Sequence, residues 1–196
     1  MAMRQAAVLL DKDGTLLENV PYNVDPSRMR LAPTAGAALR RFGALGMPLI
    51  VVSNQPGVAL GKFPRAALAG VEGRLADLFV EHGARLAGCL SCPHHPEGVV
   101  GEYARACDCR KPMSGMLTRA ASMFGLDLAR SWMIGDILDD VEAGRRAGCR
   151  TILVDCGNET EWVPGEMRVP QYIVDSLDAA AHIVEQAVRV EAEAMS

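Results

Sequence analysis

Ala6-Ala7-Val8-Leu9-Leu10-Asp11-Lys12-Asp13-Gly14-Thr15 is the stretch from which the rest of the chain can be read. Its unbroken apolar run, Ala6–Leu10, reads as a strand buried on both faces, as in parallel sheets. At Asp11 the chemistry changes. Two carboxylates at i and i+2 precede a glycine, which lets backbone approach a ligand closely. One such carboxylate can attack an electrophile while the other exchanges a proton with the leaving group. A polar turn between strand and helix explains the motif equally well, so it needs support from elsewhere. A calcium loop does not fit. Its glycine belongs at the sixth position and its glutamate at the twelfth, whereas here they fall at the fourth and eighth.

Outward from this point, short apolar runs alternate with amphipathic stretches. Strands are expected at Pro48–Val52, Arg85–Leu90, Trp132–Ile134, Thr151–Val154 and Tyr172–Val174. Helical spacing is expected over Ala35–Leu45, Pro64–His82, Ser114–Phe124, Asp139–Ala147 and Leu177–Val190, with 155–170 as loop. The alternation predicts an α/β fold, a doubly wound parallel sheet with helices on both faces. There is no repeat, low-complexity tract or linker, and 196 residues suit one domain, so residues 1–196 are expected to form one unit. Ligands of such folds bind beyond the carboxyl ends of the strands.

Three further segments meet or extend that rule. Ser53-Asn54-Gln55 follows the Pro48–Val52 strand and offers a hydroxyl and two amides to phosphate oxygens, although a cap or turn is the commoner use of such residues. Arg110-Lys111-Pro112 offers a bidentate guanidinium and a compact ammonium, the usual grips on a phosphoryl group. Gly135-Asp136-Ile137-Leu138-Asp139-Asp140 follows Trp132–Ile134. Asp136 is placed there to complete a hard-cation site with Asp11, of the oxygen-ligand kind magnesium takes. Asp140, one turn on, points back to the same mouth, and Asp139 reads as a helix-start acid favoured by the macrodipole. Gly57–Phe63 looks like a nucleotide-binding loop, but it is one residue short and has Phe63 where Ser or Thr would hold magnesium.

Composition narrows the partners. Lys plus Arg number 20 against 24 Asp plus Glu, a net charge of −4, which disfavours nucleic acid and anionic membrane surfaces. The N-terminus lacks the long apolar core of a signal peptide, so a cytoplasmic protein with reduced thiols is expected. Of six cysteines, Cys89, Cys92, Cys107 and Cys109 crowd one loop of about 89–111. Cys92-x-His94 and Cys107-x-Cys109 have the spacing of a closed, structural zinc site. Cys89 could instead pair with Cys92 as C-x-x-C, and His95 could replace His94. Cys149 and Cys156 read as packing thiols.

Taken together and in this order, the four segments resemble the haloacid dehalogenase superfamily of aspartate-nucleophile phosphatases, over roughly Val8 to Val154. The resemblance implies that Asp11 is the nucleophile and Asp13 the general acid and base. It makes Ser53 and Lys111 the phosphate contacts, and Asp11, Asp13 and Asp136 the holders of Mg²⁺. Residues 14–52 leave no room for a large cap domain. The loop Cys92–Pro112 further resembles the heptose 1,7-bisphosphate 7-phosphatase group of that superfamily. That likeness selects Cys92, His94, Cys107 and Cys109 as ligands of structural Zn²⁺. It also implies substrate contacts at Asn19 and Tyr22 (within Asn19–Tyr22), at Asn54 and Gln55 (within Ser53–Pro56), and at Arg110. Histidinol-phosphate phosphatases share the zinc motif with a shorter loop. Ile137 departs from the group, which carries a basic residue there. The expectation is therefore a monomeric sugar-phosphate monoesterase working through an aspartyl-phosphate, with 155–170 as a candidate lid around Asn158, Glu159 and Trp162. A zinc-bearing interaction module without catalysis is the alternative of another class.

Overall fold

A computed structural model describes residues 4–194. Among these residues six strands form one wholly parallel sheet: β1 (Val8–Leu10), β2 (Leu49–Asn54), β3 (Leu86–Cys92), β4 (Trp132–Gly135), β5 (Arg150–Val154) and β6 (Tyr172–Val174). Their order is β3-β2-β1-β4-β5-β6. Helices α1 (Ala35–Ala44), α2 (Leu68–Glu81), α3 (Gly115–Phe124), α4 (Leu138–Arg146) and α5 (Leu177–Ala194) connect and cover it. The chain is thus a doubly wound α/β fold, and the reversal of strand order falls at β1.

Burial follows the pleat. Val8 and Leu10 face one core with Leu39, Phe42, Phe79 and Val184, while Ala7 and Leu9 face another with Ile50, Val52, Leu117 and Met133. Alternate residues of β1 therefore serve opposite layers, which explains a run with no polar interruption. Leu10 is in register with Val51 of β2 and Ile134 of β4, so the tip of β1 is paired on both sides.

Two strands run further than their hydrophobicity suggests. β2 includes Ser53 and Asn54, and β3 includes Ser91 and Cys92, because these residues continue the ladder as pairs Ser53↔Ser91 and Asn54↔Cys92. Their polar side chains hide strand geometry from a hydrophobic pattern. Similarly, 3-10 turns occupy Arg65–Ala67, ahead of α2, and Glu166–Arg168, within the segment expected to be loop. The latter is tied down by Arg168, which bonds Asp139 at 3.0 Å and Glu142 at 2.9 Å. Between β1 and β2 the chain has room for a 3-10 turn at Pro26–Arg28 and for α1, and no cap domain intervenes. No helix of the described residues is long and apolar enough to cross a membrane.

Candidate active site

The carboxyl ends of β1, β2 and β4 deliver side chains to one point. Asp11 leaves β1, its N–H bonded to the Ile134 carbonyl at 2.9 Å. Asp136 leaves β4, and Asp140 returns from the first turn of α4. Carboxylate oxygens of Asp11, Asp136 and Asp140 lie within 4.8 Å of one another, all three residues being buried. Lys111 enters from the cysteine loop and is equally buried. Its ammonium contacts Asp11, pairs with Asp140 at 2.6 Å and donates to the Val52 carbonyl at 3.0 Å. Those contacts match the three N–H groups of an ammonium.

The charge balance of this cluster tests whether it suits a cation. Three carboxylates against one ammonium leave an excess of two negative charges when all are ionised. A divalent cation matches that excess. Without one, burial raises the carboxyl groups. Asp136 rises to about 6 through burial and the nearby Asp11 charge. Asp140 rises to about 8 because burial, with Asp11 and Asp136, outweighs the pull of Lys111. Burial would depress the Lys111 ammonium, but Asp11 and Asp140 hold it above the ordinary lysine range. The backbone makes space for this crowding. A Cβ on Gly14, at φ +95°, would lie 2.2 Å from an Asp136 oxygen, and one on Gly135 would lie 2.2 Å from an Asp140 oxygen. Larger residues are excluded there.

Asp13 lies beside this cluster. Its carboxylate accepts from Lys12 Nζ at 2.6 Å and from Gln55 Nε2 at 3.0 Å. The sequence expectation puts Asp13 among the magnesium ligands, yet the side chain that completes the carboxylate triad is Asp140. Lys12 and Gln55 draw Asp13 aside. Burial raises the Asp13 carboxyl, with the Asp11 charge adding to it and Lys12 opposing it.

Gln55 also donates to Ser53 Oγ at 2.8 Å, which puts that hydroxyl next to Asp13. Asn54 faces elsewhere. Its Nδ2 donates to the Lys111 carbonyl and its Oδ1 accepts from the Lys111 N–H, both at 3.0 Å, so it fastens the end of β2 to the exit of the cysteine loop. Arg110 Nη1 is buried without a hydrogen-bond partner among the described residues. Asn19 and Tyr22 are exposed. Asn19 lines a cavity of about 600 Å³ with Gly14, Glu18 and Asn158. Tyr22 lies under Lys62, whose Nζ is 5.8 Å from the ring centre. Ile137 brings no charge, and its N–H donates to Asp140 Oδ2 at 3.4 Å.

Cys92, His94, Cys107 and Cys109 form a second group whose ligand atoms lie within 4.8 Å of one another. Sulfur separations are 3.0 Å for Cys92–Cys109, 3.4 Å for Cys107–Cys109 and 3.6 Å for Cys92–Cys107. His94 Nδ1 is 3.3 Å from Cys109 Sγ. A tetrahedral zinc with Zn–S bonds of about 2.3 Å holds its sulfurs roughly 3.8 Å apart, so the donor set suits zinc in type, with the sulfurs standing closer together than around the bound ion. Burial and the adjoining thiols push Cys92 well above the ordinary range, while against burial the Arg110 N–H and the neighbouring thiols lower Cys107. Cys89 stays apart in the sheet, and His95 accepts from the Glu97 N–H at 3.2 Å. Cys149 is buried as a packing thiol, but Cys156 is exposed, 3.5 Å from the Gly14 carbonyl, because it lies beyond the end of β5.

Three contributors carry little sequence signal. Thr15 Oγ1 donates to Asp136 Oδ1 at 2.8 Å. Asn158 Nδ2 donates to Asp136 Oδ2 at 2.7 Å. Lys12 is buried and turned onto Asp13. The first two act across 121 and 22 residues of chain, which no local pattern reveals.

Known proteins share both the sequence pattern and the architecture. The family model described as HAD-hyrolase-like matches residues 108–180. The chain is 34% identical over 183 residues to D-glycero-beta-D-manno-heptose-1,7-bisphosphate 7-phosphatase of Escherichia coli, covering 88% of this chain and 96% of that one. It is 37% identical over 147 residues to the protein of the same name from Rhodopseudomonas palustris, covering 75% and 82% respectively. The structure resembles that of D,D-heptose 1,7-bisphosphate phosphatase from B. bronchiseptica complexed with magnesium and phosphate. The TM-score there is 0.76 at 26% identity, over 93% of this chain and 99% of that one.

Proposed function

From the premise that the chain belongs to the haloacid dehalogenase-like hydrolases, we propose that it is a magnesium-dependent phosphatase that hydrolyses a sugar phosphate monoester. We take its substrate to be D-glycero-beta-D-manno-heptose 1,7-bisphosphate and the bond cleaved to be that of the 7-phosphate, as the names of its relatives state for them. The observation that carries the reading is the doubly negative excess of Asp11, Asp136 and Asp140 around Lys111 at the tip of the central strand.

In this reading Asp11 attacks phosphorus and forms an aspartyl-phosphate, while Asp13 protonates the departing sugar oxygen. Asp13, now a carboxylate, then takes a proton from the water that cleaves the acyl phosphate, which restores both groups. Mg²⁺ would be held by Asp11, Asp136 and Asp140, with Asp13 beside them. When bound it supplies charge stabilisation to the equatorial phosphoryl oxygens. In this reading Lys111 and Ser53 grip the same oxygens, and Arg110 is assigned to the substrate. Cys92, His94, Cys107 and Cys109 would hold Zn²⁺, a four-ligand structural role that would fix the loop presenting Arg110 and Lys111. The same reading makes the chain a single-domain cytoplasmic monomer with no nucleic-acid or membrane partner.

The test is phosphate release, with and without Mg²⁺, from both anomers of heptose 1,7-bisphosphate and from histidinol phosphate. Magnesium-dependent release from the β-anomer is expected, and Asp11→Asn should abolish it. Preference for histidinol phosphate would replace the substrate, and no release from any compound would leave the interaction module standing.

A further inference from the structure

Asn158 belongs to the segment beyond β5, outside every stretch that signals phosphatase chemistry. Its amide nevertheless reaches the candidate metal site. Nδ2 donates to Asp136 Oδ2 at 2.7 Å and lies 3.5 Å from the Gly14 carbonyl. Thr15 Oγ1 holds the other oxygen, Asp136 Oδ1, at 2.8 Å. The two donors fix each oxygen of one carboxylate separately, and so set the plane of the group as well as its position.

The segment is held well enough for this to matter. The next residue, Glu159, accepts from the Leu138 N–H at 2.7 Å, an otherwise unpaired donor at the start of α4. Glu159 also accepts from the Glu161 N–H at 2.9 Å, which shapes its own turn. Asn158 lies over Gly14 closely enough that a Cβ there would come within 2.4 Å of Nδ2.

We propose that Asn158 is a positioning residue for Asp136 in the divalent-cation site, orienting the carboxylate toward the ion from the side opposite Thr15. The proposal rests on the magnesium-dependent reading above. A neutral amide suits the task because it fixes direction without cancelling the negative charge that attracts the cation, as Lys or Arg would. Each Asp136 oxygen keeps acceptor capacity after taking one hydrogen bond.

Calorimetric titration of the purified zinc-loaded protein with Mg²⁺ tests this. Two substitutions are compared. Asn158→Ala removes the side chain, and Asn158→Leu keeps similar bulk over Gly14 but has no N–H. Both should weaken Mg²⁺ binding by about 10–100-fold, the usual effect of losing an outer-shell partner. The Mg²⁺ concentration for half-maximal turnover should rise in parallel, while the melting temperature in EDTA stays near that of wild type. If one variant fails to fold, the other decides the question. Unchanged Mg²⁺ affinity in a folded variant overturns the proposal, as does weakening by alanine but not by leucine, since packing would then be the cause. Failure of the wild type to take up Mg²⁺ is a different outcome, for it removes the magnesium-dependent reading itself.

Discussion

Asp13 has to donate a proton in one half of the proposed reaction and accept one in the other. Its surroundings push both ways. Burial raises the carboxyl, and Lys12 Nζ at 2.6 Å restrains the rise. Asp13→Asn should cut turnover of alkyl phosphates by about 10²–10⁴-fold, the usual worth of general acid-base catalysis. Cleavage of p-nitrophenyl phosphate needs no proton on the leaving group. The variant should therefore release one burst of nitrophenolate and stall as phospho-Asp11, visible as a phosphate adduct in the intact mass. Steady turnover without a burst would remove Asp13 from the role. The carboxylate pair itself is legible in the sequence from its place after an apolar run. The return of Lys12 onto Asp13 is not, because alternation along an extended chain puts a middle residue on the opposite side.

The loop between β3 and α3 shows why long-range contacts escape a sequence. The ligand spacing of Cys92, His94, Cys107 and Cys109 is local and can be read. The reciprocal bonds between Asn54 and the Lys111 backbone, 57 residues apart, cannot. They connect the loop to β2, so Asn54, with the zinc proposed for the loop, would set where the Lys111 ammonium lies. Cys107→Ser should lower zinc from about one equivalent per chain, measured by elemental analysis, because a closed structural site binds through all four ligands. It should also make residues 95–106 more susceptible to limited proteolysis and lower kcat in step with zinc content. Full activity in metal-free protein would separate the loop from catalysis. The strands themselves are legible as apolar runs, and their ends run on through the polar Ser53, Asn54 and Ser91, and through Cys92 beyond them, which pair along the backbone.

The buried carboxylates affect the stability of the entire protein. With Asp136 raised to about 6 and Asp140 to about 8, the folded chain keeps protons that the unfolded chain, near 3.8, has released. Without metal, these groups make stability fall as pH rises from about 4 to 8. Mg²⁺ replaces those protons, so its stabilising effect should be greater at pH 8 than at pH 5. At a concentration 100-fold above Kd the gain is about 2.7 kcal/mol, or about 5–10 °C in melting temperature for a chain of this size. Scanning calorimetry at the two pH values, in EDTA and in Mg²⁺, measures it. An equal gain at both would mean that the carboxylates are already ionised without metal.

Bonding of β1 on both flanks has a bearing on how the protein moves. Asp11 is mounted on backbone braced from either side, while Asn19, Tyr22 and Trp162 are exposed. Amide deuteration should be slowest at Leu9, Leu10 and Asp11 and fastest around 19–22 and 160–164, reflecting the range from global to local opening. Under the proposed reaction, adaptation to an incoming sugar would then fall to these exposed segments, with Asp11 kept in a fixed pose.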